Sequence, residues 1–190
     1  MKNNIKDTKE KIVDAAYEIL AREGYERAST KEIAKEAGVA QGLINYYFHK
    51  KDDLFIEVLR KEMKRYGAFL EEVNTIPSDQ IFHVMTKGLE EKVRNYSQWY
   101  RLRYELFALG MRNPVFMHEV KQLLAEGRNN VASILSKVYP KVKHERRDDL
   151  VAIIIVCLDG LALQKIADPD FDIGRSYSIL VDLINSYISD

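Results

Sequence analysis

Two carboxamides, Gln41 and Asn45, stand four residues apart, so an α-helix would carry them on one face, one turn apart. A side-chain amide offers a donor and an acceptor side by side. That is the pattern that pairs with the N6 and N7 edge of adenine in a DNA major groove. Gly42 lies between them and, having no side chain, permits close backbone approach. Other chemistries find no comparable arrangement. His49, His83, His118 and His144 are scattered without the i, i+4 spacing of metal ligands. Cys157 is the one cysteine, which excludes an intrachain disulfide and a cysteine-rich zinc site. There is no phosphate-binding glycine loop, no G-x-S-x-G and no H-E-x-x-H. No catalytic residue, metal or cofactor is therefore expected, and the chain does not read as an enzyme.

The amides belong to the segment Ser29 to Phe48, S-T-K-E-I-A-K-E-A-G-V-A-Q-G-L-I-N-Y-Y-F. Two short helices packed across a tight turn need a small residue at their crossing and one tolerant of positive φ at the turn. They also need an apolar anchor six positions beyond it. Ala34, Gly38 and Ile44 stand at those places, with Ile33, Val39 and Tyr47 as supporting core. This is a helix-turn-helix pattern, whose second helix presents its early residues to a major groove. An ordinary helical hairpin with a glycine turn is the alternative that the same three residues allow.

The flanks extend the pattern with Ile12, Ala15, Ala16, Gly24, Tyr25, Thr30, Ala37, Tyr46, Phe48, Lys51, Leu54 and Phe55. With these the chain resembles the TetR family of transcriptional regulators over about residues 8–57, and beyond them in helix pattern only. The resemblance implies a homodimeric repressor that binds double-stranded DNA and is released from a palindromic operator by a small hydrophobic or amphipathic effector. It implies phosphate contacts at Thr30, Tyr46 and Lys51. Thr30 and Lys51 also open helices, whose free N–H groups favour anions. Lys31, Lys35, His49 and Lys50 would extend that grip, and Tyr47 is counted with the DNA-facing residues. Ala40 departs from the family, which often has a capping hydroxyl there; its absence weakens the cap by about 1 kcal/mol. Asn45 stands where tyrosine is frequent, and Lys50 where a Ser, Thr or Asn cap is common.

The elements that must position these residues are all helices. Period-3.6 patterns predict nine, at about 7–23, 29–37, 41–47, 51–73, 79–95, 98–111, 114–138, 145–166 and 172–188. Gly24 is a natural left-handed cap for the first, Ser29 with Glu32 reads as a capping box, and Asp52 and Asp53 suit the start of the fourth. Pro77, Pro114, Pro140 and Pro169 fall at the joints. The predicted class is all-α, with a DNA-binding domain at 1–50 and a ligand-sensing and dimerisation bundle at 51–190.

Of the 190 residues 46% are hydrophobic, enough for a sizeable core. The unbroken apolar run Val151 to Leu158 falls short of the roughly 20 residues of a membrane span. Met1 to Lys6 lacks a following apolar stretch, so no secretory signal is read and a cytoplasmic location, away from membranes, is expected. Net charge is zero, +2 over residues 1–65 and −2 over the remainder. Recognition of DNA would thus depend on local placement, not on a broad positive field.

Val151 to Leu158 is apolar all the way round a helix, so one side should meet its own core and the other a partner. Ile154, Leu158 and Leu161, with Tyr177, Leu180 and Ile184 of the ninth helix, are the predicted dimer contacts, forming a four-helix interface as the resemblance also implies. An aromatic and methionine cluster includes Phe82, Met85, Trp99, Tyr104, Phe107, Met111 and Met117. Trp99, Arg103 and Phe107 follow at four-residue spacing, a cation between two rings. A ligand site is expected from Trp99, Arg103, Tyr104, Phe107, Met111, Met117 and Gln164, on the ground that pockets are apolar with a few orienting polar groups. Ordinary core is the other reading of these side chains. The other functional reading is a helical DNA-binding or protein-interaction module without ligand response.

Overall fold

The computed structural model describes residues 2–73 and 75–189, without the side chains of residues 2–6, 69, 70, 144, 145 and 189; His144 thus lies outside the described side chains. The described residues form nine helices and no strand: α1 Lys2–Arg27, α2 Thr30–Ala37, α3 Gln41–Tyr47, α4 Lys51–Val73, α5 Ile81–Asn95, α6 Ser97–Gly110, α7 Pro114–Val138, α8 His144–Ala167 and α9 Ile173–Ser189. This is the all-α class and the helix order that the sequence predicts. α1 differs in its ending. Gly24 does take positive φ, at 78°, but its ψ of 166° is extended, so the helix breaks there and makes one more turn to Arg27.

Two compact units divide the chain, Met1–Arg65 with Arg101–Val120 and Tyr66–Tyr100 with Lys121–Asp190. In the first, Ile12, Ala16, Ile19 and Leu20 of α1 are buried together with Ile33, Ile44, Leu54, Phe55, Leu59 and Phe116. Tyr25, Phe55 and Phe116 join ring to ring at 5.1–5.8 Å. Such tilted and edge-on pairs add about 0.5–1.5 kcal/mol each beyond their buried area. Arg60 makes a two-pronged ion pair with the buried Glu119, at 2.8 and 3.1 Å, tying α4 to α7. At the break after Gly24 the freed N–H of Tyr25 donates to Glu105 Oε1 at 2.7 Å, tying α1 to α6.

The second unit is built on Leu135, Leu150, Val151, Ile154 and Ile184, with a satellite of Val73, Ile81 and Ile134. α8 needs a correction to the sequence reading. An 18-residue window of its stretch Arg146–Ala167 has a mean hydropathy of 2.1, so by length and composition the helix is apolar enough to cross a membrane, which the eight-residue run understated. Leu150, Val151, Ile154 and Ala162 of this helix are nonetheless buried against the rest of the chain, while Ile153 and Val156 are exposed.

Two predictions follow from local geometry. Ala40 already has the extended backbone of an N-cap, φ −68° and ψ 139°, and makes no side-chain cap bond. Ala40→Ser supplies the hydroxyl and should add about 1 kcal/mol, seen as a rise in melting temperature of roughly 2–4 °C. Burial holds the Glu105 carboxyl above the ordinary glutamate range; the Tyr25 N–H and Lys51 pull it down only partly, and Glu26 pushes it up. An acid raised in this way binds its proton more tightly folded than unfolded, so its contribution is present at low pH and lost as pH rises through the raised value. Glu105→Gln keeps an acceptor for Tyr25. Urea unfolding from about pH 4 to 7 should therefore show the native chain losing stability relative to this variant as pH rises; parallel curves would contradict it.

Candidate nucleic-acid interface

α2 begins and ends on side-chain and backbone caps that set its position. Ser29 is extended, at φ −109° and ψ 144°, and its hydroxyl accepts the Glu32 N–H at 3.2 Å. Glu32 returns the bond by accepting the Ser29 N–H at 3.3 Å, which completes the predicted capping box. The Ser29 hydroxyl also donates to Glu32 Oε2 at 2.7 Å, and this bond, with that from the Ser29 N–H, holds the Glu32 carboxyl below the usual glutamate range. At the other end Gly38 is left-handed, φ 65° and ψ 33°. Its N–H donates to Lys35 O at 3.2 Å and that of Val39 to Ala34 O at 3.0 Å, a Schellman closure that turns the chain into α3. Ala34 and Ile44 are buried at the crossing, with Ile33 and Phe48 beside them.

With Ile44 and Phe48 turned inward, the rest of α3 faces out. Gln41, Gly42, Leu43, Asn45 and Tyr46 are all exposed, so both amides stand in solvent on one helix as the sequence predicts. Gln41 Nε2 donates to Thr30 Oγ1 at 3.4 Å, linking the amide to the start of α2. Gly42 would meet nothing within 4 Å if it carried a Cβ, so its surroundings are open. Tyr46 is 72% exposed, and half-buried Tyr47 meets its ring edge-on at 5.2 Å. Lys31, Lys35, His49 and Lys50 are exposed, and Thr30 is half-buried.

Lys51 opens α4, and its side chain is engaged within the chain. Its ammonium donates to the carbonyls of Glu26 at 3.2 Å and Ala28 at 3.1 Å and lies 4.4 Å from the centre of the Tyr25 ring. It fastens the end of α1 to the start of α4. The Tyr25 hydroxyl donates to Asp52 from the same helix start, and burial with that bond raises the phenol well above its ordinary range. Leu43 is the exposed residue of this face that motif reasoning passed over. The signal was available: with Ile44 inward, a neighbour about 100° away on the helix must point elsewhere.

The seven residues predicted to hold a ligand divide between the two units. The second unit contains an apolar cavity of about 60 Å³ lined by residues of α5, α7, α8 and α9, and none of the seven lines it. Its walls include Phe82, Met85, Leu89, Ile134, Leu158 and Val181, with Thr86 and Tyr177 as the lining side chains that carry polar atoms. The Thr86 hydroxyl is already donating to Phe82 O at 2.9 Å. Arg103, Tyr104, Phe107, Met111 and Met117 belong instead to the first unit, where Arg103 lies 5.5 Å from the Phe107 ring centre and Met111 is 81% exposed. Trp99 is buried in the second unit, and its indole N–H has no hydrogen-bond partner among the described residues. Gln164 is exposed beside a shallow depression between α8 and α9. Helical spacing aligned residues along α6 but carried no information on which unit that face enters.

The predicted dimer residues divide between core and partly open surface. Ile154, Tyr177 and Ile184 are buried in this chain's own core and line the cavity, while Leu158, Leu161 and Leu180 are half-buried. The open apolar face of α8 and α9 falls on Ile153, Val156, Leu163, Ile179, Leu183 and Tyr187. A helix apolar all round cannot show from sequence which side meets its own chain. Among the described residues no group of three His, Cys, Asp or Glu side chains is disposed to hold a metal ion.

Comparison with known proteins agrees with this geometry. Residues 12–58 match the family described as "Bacterial regulatory proteins, tetR family". Over 60 residues, 32% of this chain and 29% of the relative, the sequence is 43% identical to the fatty acid metabolism regulator protein of Bacillus subtilis; the chain thus spans less than a third of that regulator in the match. It is 25% identical over 187 residues to the transcriptional regulator BetI of Vibrio campbellii, covering 95% of this chain and 92% of that one. The fold is similar to the crystal structure of the regulator FadR from Bacillus subtilis in complex with stearoyl-CoA, with a TM-score of 0.75 at 22% identity over 91% of this chain and 95% of that one. These relatives are transcriptional regulators and not enzymes. An α2 capped at both ends, an outward-facing α3, the match over residues 12–58 and the likeness in fold lead to one conclusion: residues 12–58 form a DNA-binding domain of the TetR type, and the chain is a DNA-binding transcriptional regulator similar to those of that family.

Proposed function

We propose that this regulator is a homodimeric repressor that reads the two halves of a palindromic operator and leaves it when a small apolar ligand binds. The observation that carries the reading is the outward face of α3, where Gln41 and Asn45 stand exposed together beside the open Gly42. Each amide reads one adenine by a paired hydrogen bond. Thr30, Tyr46 and Tyr47, with Lys31 and His49, grip the flanking phosphates. Lys51 acts there through its backbone N–H at the start of α4 and its charge, since its ammonium already holds two carbonyls. Residues 1–50 serve as reader and 51–190 as sensor and pairing surface, in the bacterial cytoplasm where the DNA is.

Pairing is supported by the exposed side chains Ile153, Val156, Leu163, Ile179 and Leu183, an apolar surface that a second copy would cover. We therefore assign the interface to these residues, next to those first expected from sequence. The effector is supported by the cavity. Its walls bring no charged side chain, so its occupant is neutral where it meets them, and at about 60 Å³ the space must widen to admit more than a short aliphatic or single-ring group. A ligand that binds the widened state more tightly shifts the population toward it, and release of DNA follows if that state spaces the two readers wrongly. The small volume also favours a second reading, a DNA-binding or interaction module without ligand response.

Retardation of a duplex from the gene's own upstream region tests the reader. The native protein should bind it selectively. Since each amide–adenine pair is worth ~1–3 kcal/mol, the Gln41→Ala, Asn45→Ala double variant should lose about thirty-fold or more of that affinity while keeping salt-sensitive binding to any sequence. Selectivity that survives the double change contradicts the assignment of the two amides.

A further inference from the structure

We infer that Leu43 is a specificity residue that reads the C5-methyl group of one thymine in each half-site. The inference rests on the proposed reading of α3 as the helix that enters the major groove. Leu43 is 39% exposed on a seven-residue helix whose inward side is already taken by Ile44 and, at its cap, Phe48. A single exposed leucine needs no explanation on most surfaces. Here its place gives it one. At 3.6 residues per turn, the outward arc of α3 is centred on Gly42 and Tyr46, with Gln41 and Asn45 on one edge and Leu43 on the other.

The middle of that arc is bare. A Cβ added at Gly42 would meet nothing within 4 Å, so the helix can approach the floor of the groove at its first turn. At that approach the amides on one edge address hydrogen-bonding atoms, and the branched alkyl group on the other has nothing to donate or accept. The floor of the major groove offers one apolar feature to such a side chain, the thymine methyl, because the exposed edges of adenine, guanine and cytosine carry donors and acceptors. Cytosine opposite Leu43 would leave its amino group desolvated without an acceptor. Leu43 therefore selects thymine both by covering the methyl and by failing to satisfy the alternatives. The three side chains together specify a half-site in which adenines paired to Gln41 and Asn45 lie near a thymine read by Leu43.

The test uses the full-length protein and duplexes selected from a random pool. Each thymine of the enriched half-site is replaced in turn by deoxyuridine, which removes the methyl and nothing else, and affinities are measured for the native chain and Leu43→Ala. At one thymine per half-site the replacement should weaken native binding roughly four-fold, the effect of one lost methyl contact, and should leave Leu43→Ala unchanged. Leu43→Met, which keeps an apolar side chain, should retain the deoxyuridine response. Alanine is a better helix former than leucine, and a thermal melt of each variant verifies folding. A pool that never enriches overturns both this inference and the reading of α3. An enriched site whose thymines respond equally in the native chain and Leu43→Ala, or do not respond at all, overturns the role of Leu43 and leaves the amide readout standing.

Discussion

Ala34 lies where α2 and α3 cross, and every feature of the DNA-reading surface depends on how closely those helices approach there. A methyl group fills the crossing; a larger side chain would push the helices apart at a cost of about 1–3 kcal/mol and rotate α3 away from its outward face. The crossing is held from three sides. The Gly38 closure fixes the turn, the Ser29–Glu32 box fixes the start of α2, and Ile44 anchors α3 from below. Ala40 leaves α3 without a side-chain cap of its own, so the placement of Gln41 and Asn45 comes from packing and not from local helix stability.

Around this crossing the first unit is tied by few but well-placed polar contacts. The break at Gly24 frees the Tyr25 N–H for Glu105, turns the Tyr25 ring onto Phe55 and Phe116, and puts Lys51 over its face. One residue thereby meets α4, α6 and α7. The cost of half-burying Glu105 appears in its raised proton affinity. Lys51 shows why a positive charge near a presumed phosphate site is weak evidence by itself: the ammonium has structural carbonyls to hold. With net charge zero over the whole chain, affinity for DNA has to come from groups on this one surface.

The helix order, the capping box, the glycine turn and the exposure of both amides were all legible in the sequence, because each follows from spacing along one or two adjoining helices. Gly24 was legible as a break but not in its ψ, which the tertiary contact with Glu105 selects. The ligand and dimer residues were less so. Trp99, Arg103 and Phe107 share a stripe on α6, yet the cavity forms among α5, α7, α8 and α9, and no local pattern encodes that choice. On α8, Ile154 and Ile153 are equally apolar neighbours, one buried and one exposed; only the position of Leu135 and Ile184 against the helix distinguishes them.

The account predicts that two copies of a helix positioned in this way read one duplex together. Hydroxyl-radical footprinting of the native protein on its operator tests that most directly. Two protected patches of matching sequence, on one face of the DNA and about 10 base pairs or a multiple of that apart, are the predicted result. A single patch, or shallow protection spread evenly along the duplex, would contradict it.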